Sequence, residues 1–155
     1  VNIHIRDMQV EDLDAVHHID ELSFSLPWTL NSFRFELLDN PTSHLWVADV
    51  EDENGLALAG MLVLWMIVDE GHIATFAVHP KYRRLGIGRA LIEHAIASAR
   101  AGGLTRIFLE VRRSNIAAQE LYQAYGFVVD GVRPRYYRDT MEDALMMTLN
   151  LAGNA

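Results

Sequence analysis

Apolar residues recur every second position in some stretches and every third or fourth in others, and the change of period divides the chain into elements. Ile3-His4-Ile5-Arg6 alternates and reads as a short first strand. From Val10 to Phe24 the spacing is helical, with Leu13, Val16, Ile19 and Phe24 expected in the core; His17 and Asp20 follow the same spacing. Leu26-Pro27-Trp28 breaks this helix. Thr29 can cap a second helix through Leu38, with Leu30, Phe33, Leu37 and Leu38 inward, and Asn40-Pro41 ends it.

His44–Val50 reads as the second strand, and the acidic 51–55 as a hairpin turn. Leu56–Val68 is a long third strand, too short an apolar run to span a bilayer. Asp69-Glu70-Gly71 is expected to turn, and His72–Val78 to form the fourth strand of an antiparallel meander. A helix from Gly86 to Ala101 carries the apolar stripe Gly88, Leu91, Ile92, Ala95, Ile96 and Ala99, and closes at Gly102-Gly103. Arg106–Arg112 is the fifth strand, and a helical crossover makes it parallel to the fourth. A helix over Ile116–Tyr125 stops at Gly126. Phe127–Val132 is the sixth strand, Arg133–Arg138 interrupts it, and Ala144–Leu151 is the last strand. The pattern predicts an α/β (α+β) fold, one domain over 1–151, with 152–155 as a frayed tail.

Composition sharpens this picture. A chain of 155 residues, 50% apolar, can bury one sizeable core. There is no cysteine, which removes disulfides, thiolate metal sites and a thiol nucleophile, and agrees with a cytoplasmic location; no charged-then-apolar leader opens the sequence. Seven histidines are scattered, and the adjacent His17 and His18 point apart on a helix, so no metal site is expected. The net charge of −8 is unevenly spread: residues 1–80 carry 14 acidic groups against Arg6 and Arg34, whereas 81–138 carry 11 basic groups against four acidic. The acidic total argues against nucleic acid as a partner, and the local positive region suits one small polyanion.

That positive region contains the most informative stretch, His79-Pro80-Lys81-Tyr82-Arg83-Arg84-Leu85-Gly86-Ile87-Gly88-Arg89-Ala90-Leu91. A strand runs into a basic, glycine-spaced loop and then a helix start, whose free N–H groups and dipole favour phosphate. The P-loop pattern is missing, and the dinucleotide fingerprint fails at Leu91.

Downstream, Ile107-Phe108-Leu109-Glu110-Val111 sets one carboxylate in an apolar strand, on the face opposite Ile107, Leu109 and Val111. Such a group is costly unless paired or wet. Burial would raise its pKa, one way of tuning a general base; pairing with Arg112 or Arg135 would instead make it structural. On the next helix Asn115, Ala118, Tyr122 and Tyr125 share a face, so Asn115 and Tyr122 can address one ligand.

Arg83-x-x-Gly86-x-Gly88 after Ala77-Val78 resembles the coenzyme A pyrophosphate loop of the GNAT family of N-acetyltransferases. Glu110-Val111-Arg112-Arg113-Ser114-Asn115 matches that family's E-V-R-x-S-N element, and Leu121–Phe127 its L-Y-x-x-x-G-F element. The likeness covers nearly the whole chain, is strongest over 72–127, and is closest to enzymes that acetylate protein N-termini, such as the ribosomal-protein alanine acetyltransferases (RimI type). It departs at Thr75-Phe76, where smaller or aliphatic residues are common, and at the loop's first basic position, arginine rather than glutamine.

The resemblance implies a mixed, mostly antiparallel sheet of six to seven strands flanked by about four helices, with the fourth and fifth strands parallel and splayed. It implies acetyl-CoA as cofactor, held by Phe76, Ala77 and Val78, by the backbone of Arg83, Arg84, Leu85, Gly86, Ile87, Gly88, Arg89 and Ala90, and by Asn115 and Tyr122. It implies Glu110 as general base, Tyr122 as general acid, and the Val78 N–H as the donor to the thioester carbonyl. Leu26, Pro27 and Trp28, otherwise a packed helix–helix corner, and Tyr136 and Tyr137, otherwise a packed turn, become the walls of an acceptor-peptide groove. The expected activity is direct acetyl transfer to the N-terminal amine of a protein by a monomer or weak homodimer. Transfer to a small amine or lysine, and a non-catalytic acyl-CoA-binding module, are the other two readings.

Overall fold

Seven strands form one sheet: β1 (Asn2–Asp7), β2 (Ser43–Asp52), β3 (Gly55–Ile67), β4 (Glu70–Val78), β5 (Arg106–Arg112), β6 (Val128–Tyr137) and β7 (Glu142–Asn150). Their spatial order is β1-β2-β3-β4-β5-β7-β6. All neighbours are antiparallel except β4 and β5. This computed structural model describes residues 2–151, so the expected tail at 152–155 lies outside the described residues.

Among the described residues four α-helices cover the sheet: α1 (Leu13–Ser23), α2 (Leu30–Leu38), α3 (Ile87–Ala101) and α4 (Ile116–Ala124). On one face α3 buries Ile87, Leu91, Ile92, Ala95 and Ala99 against Trp46, Leu62, Leu64 and Ile107, and Tyr122 of α4 joins them. On the other, Val16 and Ile19 of α1 and Phe33 of α2 pack on Leu45, Val47, Met61 and Val63. β3 has neighbours on both faces, so Ala59–Leu64 are buried without alternation. Thr29 caps α2 as expected, its hydroxyl accepting from the Ser32 N–H at 3.1 Å.

Several expectations are corrected. Phe24 and Leu38 are 38% and 55% exposed, because Phe24 is the extended residue just past the end of α1 and Leu38 is the last residue of α2. The turn before β4 is at Val68-Asp69, and Glu70 and Gly71 already pair with Arg106 and Ile107. Arg133–Tyr137 does not end β6; it is a bulge within it, with Arg135 at φ 51°. β7 inserts between β5 and β6, an order that local patterning does not reveal.

Candidate active site

β4 and β5 pair only at Glu70↔Arg106, Gly71↔Ile107 and His72↔Phe108. Beyond that, β4 stays with β3 as far as Val78, and β5 stays with β7 as far as Arg112. The strands part, and a cleft opens between them. The His79 N–H bonds Ala59 O on the β3 side at 2.7 Å. Alternation then turns the backbone groups of Phe76 and Val78 toward the cleft, where Arg83 donates to Val78 O at 3.3 Å. Ala77 differs from its expected role. It pairs with Met61, and its side chain is buried in the α1 side of the core.

Past Val78 the chain makes a 3-10 turn over Pro80–Tyr82, capped by His79, whose Nδ1 accepts from the Lys81 N–H at 3.0 Å. Arg84 (φ 65°) and Gly86 (φ 88°) are left-handed and swing the chain into α3. Glycine takes that conformation without strain. The first-turn N–H groups of α3 have no intrahelical partner and point into the loop. The Ile87 side chain is core, leaving only its N–H for a ligand; the Ala90 N–H is already bonded to Gly86 O at 3.0 Å. A Cβ on Gly88 would stand 3.4 Å from Phe76 Cζ, 3.6 Å from Leu121 Cδ2 and 3.8 Å from Val78 Cγ2. The start of α3, the end of β4 and α4 therefore converge on a space that a glycine keeps open. With Arg83, Arg84 and Arg89 exposed around it, this cradle fits a pyrophosphate joined to a narrow arm.

Tyr122 lies on the α4 wall of this cleft, its ring 6.3 Å from that of Phe76 and 5.7 Å from that of Phe127. Burial drives its hydroxyl pKa far above the ordinary tyrosine value, so it stays protonated. Asn115 caps α4, its Oδ1 accepting from the Ala118 N–H at 3.2 Å. Tyr125 leaves the shared face at the end of the helix. Its hydroxyl donates to Glu93 on α3 at 2.8 Å, and Arg89 lies over its ring.

Glu110 stands on the opposite face of the sheet, two residues past the last β4–β5 pair. Its partner is neither Arg112 nor Arg135. His72 Nε2 lies 2.9 Å and 3.1 Å from its two oxygens, and the Tyr136 hydroxyl donates to Oε1 at 3.4 Å. Burial pushes the Glu110 pKa up, but the His72 hydrogen bond and charge, the Arg133 charge and the Tyr136 hydroxyl outweigh it. The net pKa lies below the ordinary glutamate value, opposite to the expected direction. The carboxylate is thus held ionised and oriented. His72 is fixed in turn by its stack on Phe108, with ring centres 4.4 Å apart. Tyr137, pushed up to about 12 by burial, is close enough to exchange electrostatic influence with both Tyr122 and Glu110.

The α1–α2 loop closes this side. A bulge at Ala74 shifts the phase of β4 and turns Thr75 toward α1. There its hydroxyl donates to Asp20 Oδ1 at 3.0 Å, and the Trp28 N–H donates to Oδ2 at 2.8 Å. The Trp28 ring stacks on Trp65 and packs against Phe33, so it anchors the loop. Leu26 is exposed at the loop's tip.

Comparison with known proteins bears on the family and the fold. Residues 13–127 match the Acetyltransferase (GNAT) family. The chain belongs to this family. It is 33% identical over 150 residues to the [ribosomal protein bS18]-alanine N-acetyltransferase of Escherichia coli (strain K12), covering 96% of this chain and 97% of the relative. It is 32% identical over 157 residues to an N-alpha-acetyltransferase of Sulfurisphaera tokodaii, covering 95% and 92%. The crystal structure of the Escherichia coli ribosomal-protein-S18-alanine N-acetyltransferase superposes with a TM-score of 0.86 at 31% identity, over 99% of this chain and 97% of that one. As a GNAT acetyltransferase the protein is an N-acetyltransferase, and acetyl-CoA is its donor.

In this GNAT chain, two residues that had no role assigned from the sequence hold the neighbouring groups, Asp20 the Trp28 loop and His72 the Glu110 carboxylate. Asp20 carried a signal, a carboxylate on the apolar stripe of α1, which is tolerated only when paired. His72 carried none, because its partner Glu110 comes from a strand remote in sequence.

Proposed function

We propose that this protein is an acetyl-CoA-dependent N-α-acetyltransferase that acts on the N-terminal amine of a protein chain. The observation that carries the reading is the hydrogen bond from Tyr136 to Glu110, itself held by His72. It ties a residue of the β6–β7 wall directly to a carboxylate poised where β4 and β5 part. Relatives named for ribosomal-protein alanine acetylation support an acceptor of that class, which would place the reaction in the cytoplasm.

Acetyl-CoA supplies an acetyl group activated as a thioester. Phe76 and Val78 offer backbone groups along the cleft, with the Val78 N–H as the polarising donor. The loop from Arg83 to Arg89 binds phosphate. Glu110, ionised and aligned by His72, draws the acceptor ammonium in and takes its proton, through one water. An α-amine has a pKa near 8, so its free-base form costs about 1 kcal/mol at neutral pH, against about 5 kcal/mol for a lysine. A carboxylate of depressed pKa is a weak base, and the α-amine is the acceptor it can serve. On the donor side, Tyr122 holds its proton and is the general acid. Tyr136, Tyr137 and Trp28 line an extended peptide on either side.

The test is acetyl-CoA turnover on short peptides with a free α-amine and different first residues. Parallel assays use α-blocked peptides carrying one free lysine, spermine and free amino acids. Turnover confined to free α-amines is expected. Turnover on lysine or polyamine alone would overturn the reading, and tight acetyl-CoA binding with no turnover would leave a binding module.

A further inference from the structure

One guanidinium joins the two loops that face each other across the acceptor side. Arg112 lies on β5 two residues beyond Glu110, so its side chain emerges on the same face. Its Nη2 donates to Asp139 Oδ1 and Oδ2 at 3.0 and 2.9 Å, in the turn after β6, and to Ser25 Oγ at 3.2 Å, in the α1–α2 loop. Its Nη1 donates to Thr140 Oγ1 at 3.2 Å and Glu142 Oε1 at 3.4 Å. Its Cζ lies 4.0 Å from the centre of the Tyr137 ring. Ser25 and Asp139 are also directly hydrogen-bonded to each other. The Arg112 side chain is 22% exposed, so water competes less for these contacts than at an open surface.

We propose that Arg112 is a positioning residue that sets the width of the acceptor groove. By clasping Ser25 and Asp139, it fixes the loop carrying Trp28 against the strand end carrying Tyr136 and Tyr137. It acts together with the direct Ser25–Asp139 hydrogen bond, at an end of the groove where the flanking Leu26 and Met141 are each 55% exposed. A lysine cannot replace it, since one ammonium cannot serve both loops while lying flat on Tyr137. The proposal rests on the acceptor being a peptide bound in this groove. It assigns Arg112 no contact with the donor, whose cradle is on the opposite face at Gly88.

The experiment compares wild type with Arg112→Met, which keeps packing on Tyr137, with Arg112→Lys, and with the Ser25→Ala/Asp139→Asn pair, which opens the clasp without touching β5. Expected is a roughly tenfold or larger rise in peptide KM, with the acetyl-CoA dissociation constant unchanged and little rescue by lysine. Hydrogen exchange at the Phe24 and Trp28 amides, both bonded to Asp20, should accelerate in parallel, by about tenfold. The exchange needs no acceptor, so it reads the clasp even if wild type acetylates no N-terminal peptide, a result that would defeat only the proposed function. Should Arg112→Met fail to fold, the Ser25/Asp139 pair carries the same test. Unchanged exchange at Phe24 and Trp28, or peptide and acetyl-CoA affinities falling together, would overturn the proposal.

Discussion

His72 and Glu110 meet across the point where β4 and β5 stop pairing. His72 sits in the last rung, opposite Phe108, and reaches forward along the diagonal to a carboxylate that has no backbone partner on that side. The sheet opens at the same place where it presents this ionised group.

The first prediction concerns this pair. His72→Phe keeps the stack on Phe108 and removes the hydrogen bond that holds Glu110 down. Burial then dominates, and the Glu110 pKa rises. The acid limb of the kcat/KM profile should move to higher pH, with the loss greatest on the acid side and smallest on the alkaline side. A profile that drops uniformly at all pH values would show that His72 does not act through Glu110.

Asp20 is the second. It is 1% exposed and receives the Trp28 N–H and the Thr75 hydroxyl. Asp20→Ala leaves both donors unpaired and should cost about 2–4 kcal/mol in chemical denaturation. Burial raises the Asp20 pKa more than its two donors and His17 lower it. A raised folded pKa gives stability that is complete below the unfolded value and lost as pH rises through the folded one. Asp20→Asn lacks that loss, so its stability relative to wild type should improve as pH rises from acid toward neutral.

The glycines of the loop separate folding from binding. Gly88→Ala places a methyl in ordinary contact with Phe76 and Leu121, in a helical position, so stability should hold or rise by about 0.5–1 kcal/mol. The same methyl fills the cradle, and acetyl-CoA affinity should fall tenfold or more, by the roughly 1–3 kcal/mol that overpacking costs. Gly86→Ala, at φ 88°, should instead destabilise by about 1–2 kcal/mol. Calorimetric titration beside thermal melts distinguishes the two; a Gly88→Ala protein that binds normally would place the donor elsewhere.

Local chemistry explains what was legible beforehand. Alternation located six strands to within two or three residues, and the stripe on α3, the Thr29 cap and the glycine loop are all written in contiguous residues. The crossover from β4 through α3 to β5 required the parallel pair, and so the cleft. What stayed hidden depends on contacts between distant segments. The Glu110 partner lies 38 positions away, and its identity reversed the direction of the pKa shift. The Arg112 clasp joins residues 87 apart. The bulge at Ala74, which alone brings Thr75 to Asp20, leaves no mark in composition. Tyr125 was misplaced because α4 ends before it, and the helical spacing that grouped it with Tyr122 no longer applies.

The most direct measurement is steady-state acetylation of a free-α-amine peptide by Glu110→Gln, beside calorimetric titration of the same variant with acetyl-CoA. Glutamine keeps the shape and a hydrogen bond to His72 but can neither carry the charge nor take the proton. The account predicts that kcat falls about a hundredfold or more while acetyl-CoA binds as to wild type. A variant that turns over at the wild-type rate would contradict it, and the carboxylate at the mouth of the cleft would then be structural.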